Sequence, residues 1–214
     1  MKLFGYAGAP NPRKVEIFLA EKAIDFELVT VDLSSGEHQS KAFLQKNSQG
    51  KIPVLETDDG EFLSESTAIC RYLEALQPKP SLFGCTALEI GHIAMRNRHI
   101  ELGLWSQIGT SWVNGPIVAR LGRFEQNPLA KKHSDLATHA FYKRLDRELT
   151  ESAFVAGEAF SMADISLWVA IDFGIRLVNL APAAHHTNLM AWFKTQSQRP
   201  SIAPFVQTSD LQPL

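Results

Sequence analysis

Residues 5–22, GYAGAPNPRKVEIFLAEK, contain the first side chains whose types bear on chemistry. The turn over residues 5–12 contains two glycines and two prolines but no Ser, Thr, Cys or His. It therefore lacks the side chains that most often serve as nucleophiles or general bases. If this turn is the mouth of an active site, the donors that remain for its chemistry are the Tyr6 hydroxyl and the Asn11 amide.

Composition excludes several classes of function. The 214 residues carry 21 basic and 23 acidic side chains, with no basic stripe, which argues against a nucleic-acid partner. No apolar run approaches the length of a membrane span, and the chain opens on a strand-like pattern without a signal peptide. Cys70 and Cys85 are too few for a disulfide framework, and no Cys-x-x-Cys or clustered metal-ligand spacing occurs. We expect a cytoplasmic protein that binds no metal.

The elements that position the turn belong to a small α/β domain, predicted over residues 1–77 in the order βαβ–α–ββ–α. Its strands are KLFGY, FELVTVDL and the two arms of a hairpin, IPVLET and EFLS, with Asp59-Gly60 at the hairpin turn. Its helices are one that begins at Pro12, a short one over HQSKAFLQK, and ESTAICRYLEAL.

A proline-rich stretch within residues 78–85 predicts a linker, and the helical patterns that follow predict an all-helical domain over residues 86–214. Its first helical segments are predicted at 86–125 and 130–150. In FSMADISL, Ser161 precedes Asp164 by three residues at the head of an almost entirely apolar helix. This spacing predicts a capping box on a buried helix, which is a structural and not a catalytic role.

This organisation resembles that of the cytosolic glutathione S-transferases, a thioredoxin-like N-terminal domain followed by an all-helical C-terminal domain. Four stretches carry the resemblance over most of the chain: GAPNPRKVEIFLAEK, GEHQSKAFLQKNSQGKIPVLE, LSESTAICRYLE and VAGEAFSMADISL. The order and spacing of the four stretches make the resemblance specific, although each is weak alone.

The resemblance implies where glutathione, a tripeptide with a carboxylate at each end, lies as substrate. The Ile52-Pro53 bond is implied to be cis, with the Ile52 backbone turned toward the ligand. Ser66, at or near the cap of the next helix, is implied to receive one carboxylate, and Glu65 the ligand's amine. The other carboxylate is implied to lie near Lys51 and His38, whose alternatives are a plain solvated lysine and a surface histidine.

The resemblance also implies that the turn over residues 5–12 activates the glutathione thiol. The family lowers the pKa of this thiol with a Tyr, Ser or Cys. Those positions correspond here to Gly5, Ala9 and Pro10, none of which has a side-chain donor. Asn11 and Tyr6 remain as candidate catalytic residues, together with backbone N–H groups at Asn11 and beyond. Asn11 has the alternative role of an ordinary helix cap.

We therefore predict a glutathione S-transferase that conjugates the thiolate to a small hydrophobic electrophile in the cleft between the domains. We expect this pocket to be lined by the first turn and by the helix over residues 96–110. In the stretch LGLWSQIGTSW, the alternative role of Trp105 and Trp112 is core or dimer packing. Two other functions stay open. One is a glutathione-dependent disulfide reductase, because the turn resembles that of disulfide-reducing relatives with Thr-Pro-Asn. The other is a non-catalytic glutathione-binding protein. The resemblance further implies a homodimer.

Overall fold

The computed structural model describes residues 1–122 and 125–206 and divides the chain into two compact units. Among the described residues, the first is Met1–Leu82 together with residues 200–206, and the second is Phe83–Arg199. The division lies within the predicted linker, whereas the described residues from 200 on, which the sequence places in the second domain, group with the first unit. Parts of the predictions at 86–125 and 86–214 concern residues 123–124 and 207–214, which lie outside the described residues.

The first unit is built on a four-stranded sheet in the order β2-β1-β3-β4. β1 (Lys2–Gly5) pairs in parallel with β2 (Glu27–Thr30) and antiparallel with β3 (Val54–Glu56), which forms a hairpin with β4 (Phe62–Ser64). The predicted hairpin turn is confirmed, with Gly60 at a φ of 84°. The helices are α1 (Pro10–Lys22), α2 (Lys41–Leu44) and α3 (Ser66–Leu76), and a 3-10 turn spans Glu37–Gln39.

The two faces of this sheet follow from the alternation of its side chains. Leu3 and Leu55 are paired and fully buried, on the side where α1 and α3 pack. Phe4 and Val54 are the next pair and belong to a second apolar cluster that also contains Phe43. Both faces are therefore covered, and the ends of the strands are left to form a site.

The second unit is helical, as predicted. Its helices among the described residues are α4 (Ala87–Ile100), α5 (Ser106–Val113), α6 (Pro116–Arg120), α7 (Pro128–Glu148), α8 (Met162–Phe173) and α9 (Thr187–Ser197). A π-helical turn over Glu101–Trp105 joins α4 to α5, and another over Gly174–Val178 follows α8. Every residue of α8 is buried. No helix within the described residues is long and apolar enough to cross a membrane.

The predicted capping box at the start of α8 is confirmed. The Asp164 carboxylate accepts hydrogen bonds from the backbone N–H and the hydroxyl of Ser161, at 3.0 and 2.9 Å, and from the N–H of Val155 at 2.9 Å. Burial raises the pKa of Asp164 to about 6, against the lowering effect of these three donors. The pair is a structural element of the core, as the sequence indicates.

Candidate functional site

The strand register relates three of the predicted segments of the site to one another. Val54 at the start of β3 pairs with Phe4 on one side and with Ser64 on the other. Continuing both antiparallel registers by one or two residues places 52–53 between the turn after β1 and residues 65–66 after β4. Residues 52–53, just before β3, are therefore flanked by residues 5–6 on one side and 65–66 on the other, although up to 60 positions separate these residues in the chain.

The turn between β1 and α1 closes with a hydrogen bond from the N–H of Ala9 to the carbonyl of Tyr6, at 3.0 Å. Gly8 occupies the third position of this turn at a φ of 86°, a conformation that suits glycine. Helix α1 begins at Pro10, two residues earlier than the sequence predicts, and its N-cap is Ala9. The alternative role of Asn11 as an N-cap is therefore wrong, because Asn11 is the second residue of the helix.

The first turn of α1 has unusually few free backbone donors. Pro10 and Pro12 have no N–H. The N–H of Ala9 bonds to Tyr6 and that of Arg13 to the carbonyl of Ala9, at 3.3 Å. The backbone N–H of Asn11 is therefore the donor that this turn leaves available for a ligand, next to the half-buried Asn11 side chain.

Arg13 stabilises the turn between β1 and α1 by a hydrogen bond. Its side chain is only 2% exposed, and Nη2 donates to the carbonyl of Gly8 at 3.3 Å. The guanidinium also lies 5.7 Å from the centre of the Phe205 ring. The sequence analysis did not identify these two contacts of Arg13; the nearby signal was Gly8 in the turn over residues 6–9, a residue type that suits a left-handed backbone.

The Ile52–Pro53 peptide bond is cis, as the resemblance implies. The side chain of Ile52 packs against the cluster of Val31, Phe43 and Val54, which holds the residue in place. No backbone hydrogen bond from Ile52 to another backbone group is recorded within residues 1–122 and 125–206. An extended peptide can therefore pair with its N–H and C=O.

Glu65 and Ser66 form the start of α3. Glu65 is the N-cap, at a φ of 69° and a ψ of 112°, which is an unfavourable conformation for a residue with a side chain. Ser66 is the first helical residue, so its N–H has no partner within the helix. Unpartnered N–H groups and the helix dipole favour an anion at this position.

His38 and Lys51 are brought together by two hydrogen bonds between neighbouring residues. Gln39 Nε2 donates to the carbonyl of Gly50 at 3.2 Å, and Asn47 Nδ2 to that of Lys51 at 2.7 Å. Lys51 is exposed, whereas His38 is half-buried and its Nδ1 has no recorded partner among the described residues. The segment that contains His38 is thus held beside Gly50, next to Lys51 and Ile52 in the chain.

The residues predicted to line the electrophile pocket make packing contacts within the second unit. The rings of Trp105 and Trp112 each lie 5.5 Å from the ring of Phe173, within the second unit. Arg96 donates to the carbonyl of Val155 at 2.8 Å and pairs with Glu148. These contacts favour the packing alternative for the two tryptophans. In the described part of the chain, no group of three or more His, Cys, Asp or Glu is arranged to hold a metal ion.

Both parts of the chain match family models of known proteins. Residues 3–81 match the family model described as "Glutathione S-transferase, N-terminal domain", and residues 118–209 match "Glutathione S-transferase, C-terminal domain". Glutathione S-transferase 2 of Saccharomyces cerevisiae is 35% identical over 214 residues, covering 97% of this chain and 90% of its own.

The crystal structure of Gtt2 from Saccharomyces cerevisiae superposes with a TM-score of 0.90 at 34% identity, covering 96% of this chain and 100% of that one. The disulfide-bond oxidoreductase YfcG of Escherichia coli is 30% identical over 174 residues, covering 76% of this chain and 75% of its own.

Proposed function

Because the chain belongs to the glutathione S-transferase family and is a glutathione transferase, we propose that glutathione binds along the sheet edge and is activated there by Asn11. The observation that carries the proposal is the register of β3, because continuing it by two residues sets Ile52 opposite Tyr6, in the turn before α1, and opposite Ser66. An extended tripeptide needs such an order of groups: donors for each end and an activator for the thiol beside its middle.

Glutathione is proposed to pair its backbone with the N–H and C=O of Ile52, next to Pro53. Its two carboxylates then fall at opposite ends of the site. Ser66 receives one, with Glu65 facing the nearby amine, and the strained backbone of Glu65 supports a role that stability alone does not explain. Lys51 and His38 receive the other carboxylate.

The magnitude of thiol activation decides how many donors the site needs. A free thiol has a pKa of about 8.5, and lowering this value by ~2 units takes about 2.7 kcal/mol. Hydrogen bonds to charged groups contribute about 1.5–3 kcal/mol each, so one or two donors are enough. Asn11 offers two, its side-chain amide and its backbone N–H, and Tyr6 at the start of the turn is the alternative activator.

The experiment that tests activation is the ultraviolet absorbance of the thiolate of bound glutathione across a pH series. Wild type is compared with Asn11→Ala, which keeps the backbone N–H, and with Tyr6→Phe. We expect a depressed thiol pKa in wild type that returns toward the free value in Asn11→Ala and is unchanged in Tyr6→Phe. An effect of Tyr6→Phe alone would transfer the role to Tyr6, and an unshifted pKa in wild type would refute activation by this turn.

The second candidate reaction is the glutathione-dependent reduction of disulfides, favoured by the similarity to the Escherichia coli disulfide-bond oxidoreductase. That reaction uses the same thiolate, which attacks a sulfur in place of a carbon. Assays of one preparation with an aryl chloride and with a small mixed disulfide separate the two. We propose conjugation of a small hydrophobic electrophile as the main reaction, and detoxification as its purpose.

We propose further that the protein is a cytoplasmic homodimer. Cys70 and Cys85 are both free thiols, which agrees with a reducing compartment. An exposed apolar stripe on α4 and the turn that follows supports self-association, and its members are Leu88, Met95 and Leu102.

A further inference from the structure

The segment over residues 200–206 contacts α1 at two points. The hydroxyl of Ser201 donates to the carboxylate of Glu21 near the end of the helix. The ring of Phe205 lies under the guanidinium of Arg13 near the start of the helix. The two contacts are eight residues apart on α1, or about 12 Å. The segment therefore lies along the helix toward the turn that carries Asn11.

The segment is itself well fixed. Ile202 is fully buried, and its carbonyl accepts a hydrogen bond from the N–H of Phe205 at 2.8 Å, within a 3-10 turn over Ala203–Phe205. The ring of Phe205 is thus held in one place relative to α1. A cation within about 6 Å of an aromatic centroid is attracted by the ring, and more strongly where water is excluded.

Arg13 transmits this contact to the turn. Its guanidinium is buried, so its position is set by its neighbours and not by solvent. One of these neighbours is the carbonyl of Gly8, the residue whose left-handed backbone shapes the turn. A planar guanidinium can reach Gly8 and lie over Phe205 at the same time, which the ammonium of a lysine does not reproduce.

We propose that Phe205 and Arg13 are positioning residues for the glutathione thiol. Phe205 fixes Arg13, Arg13 fixes the turn over residues 6–9, and the turn fixes where α1 begins and where Asn11 presents its donors. The part of this inference that concerns the thiol rests on the function proposed above. Since Asn11 supplies the free backbone donor of the first turn of α1, a small displacement of the turn over residues 6–9 weakens thiolate stabilisation without removing any group that touches glutathione.

The test begins with the ligand-free protein. Hydrogen exchange at the Ala9 N–H, which closes the turn on Tyr6, is measured by NMR in wild type, Phe205→Ala, Phe205→Tyr and Arg13→Lys. We expect exchange to be at least tenfold faster in Phe205→Ala and Arg13→Lys, and within twofold of wild type in Phe205→Tyr, which keeps the ring. The matched control is Ser201→Ala, which removes the other contact of the segment with α1 and should leave Ala9 exchange within twofold.

The second readout is the thiol pKa of bound glutathione in the same variants. It should rise by half a unit or more in Phe205→Ala and stay at the wild-type value in Phe205→Tyr and Ser201→Ala. Unchanged Ala9 exchange in Phe205→Ala overturns the proposal, as does an equal effect of Ser201→Ala, which would make the segment a general stabiliser. An unshifted thiol pKa in wild type defeats the proposed function instead, and the exchange measurement still decides whether Phe205 controls the turn.

Discussion

Glu65 illustrates at the scale of one residue how the site differs from the rest of the fold. A residue with a side chain at a φ of 69° and a ψ of 112° carries a backbone cost of about 1–3 kcal/mol. Glycine adopts such backbones freely. We expect Glu65→Gly to raise the free energy of unfolding by about 1 kcal/mol, measured in urea, while the affinity for glutathione falls at least tenfold, measured by calorimetric titration.

Glu65→Gln is the control for this prediction, because it keeps the side chain and therefore the strain but loses the charge. It should lower the affinity without any gain in stability. A Glu65→Gly protein that is less stable than wild type would contradict the assignment of strain to this position.

Asp164 gives a prediction for pH at the same scale. Burial raises its pKa to about 6, from an ordinary value of 3.8, so the folded protein holds this proton more tightly than the unfolded chain. The stability due to Asp164 is therefore complete below about pH 4 and is lost as the pH rises through 6. The loss is about 3 kcal/mol at 1.36 kcal/mol per pKa unit.

The measurement for Asp164 is urea unfolding between pH 4 and 7.5, in wild type and in Asp164→Asn, which cannot titrate. We expect the stability advantage of wild type over the variant to shrink by about this amount across the range. An advantage that grows with pH would show that the three hydrogen bonds outweigh burial and that the carboxylate is ionised throughout.

At the scale of the element, the prolines in the first turn of α1 limit the number of free backbone N–H donors there. Pro10 is half-buried and lacks the N–H that any other residue would add at the first helical position. We expect Pro10→Ala to add a second free donor and to lower the thiol pKa of bound glutathione by a few tenths of a unit, read from thiolate absorbance. Pro128 is the first residue of α7, so Pro128→Ala makes the same change at another helix and should leave the thiol pKa as in wild type. A higher thiol pKa in Pro10→Ala would indicate that this proline orders the turn.

The order of elements was predictable because each of them is specified locally. The proline near the start of α1 and the hairpin turn are marked by residues within a few positions of the feature. The cis Ile52-Pro53 bond and the Glu65–Ser66 pair came from the resemblance to the glutathione S-transferases. The sequence also predicted the capping box of α8, where Ser161 and Asp164 are three residues apart.

Contacts between distant parts of the chain were not predictable. Lys22 is fully buried and donates to the carbonyls of Gln77 and Pro80, at 2.8 and 2.5 Å, and pairs with Glu74. The sequence presents Lys22 as a charge at a helix end and residues 78–80 as part of a linker. Only the fold brings an ammonium to these carbonyls. The contact between Arg13 and Phe205 is hidden for the same reason, since 192 positions separate the two residues.

At the scale of the whole molecule, the exposed apolar stripe on α4 argues for a second copy of the chain. Its members, Leu88, Met95 and Leu102, are spaced by seven residues and are 69%, 46% and 60% exposed. Residues seven apart lie on one side of a helix. These three apolar side chains therefore form a single strip and are not scattered over the surface. A strip on one face can pair with the same strip of a second chain around a two-fold axis.

We expect wild type to sediment as a dimer of the 23.8 kDa chain and Met95→Glu, which places a charge at the centre of the strip, to sediment as a monomer. In an isologous interface the substitution brings two buried carboxylates toward each other, and burying unpaired charges is strongly unfavourable. Leu136→Glu is the matched control, because Leu136 on α7 is also 60% exposed and lies outside the strip. It should leave the dimer intact. A monomeric wild type would remove the strip as an interface, and a dimer that survives Met95→Glu but dissociates in Leu136→Glu would move the interface to α7.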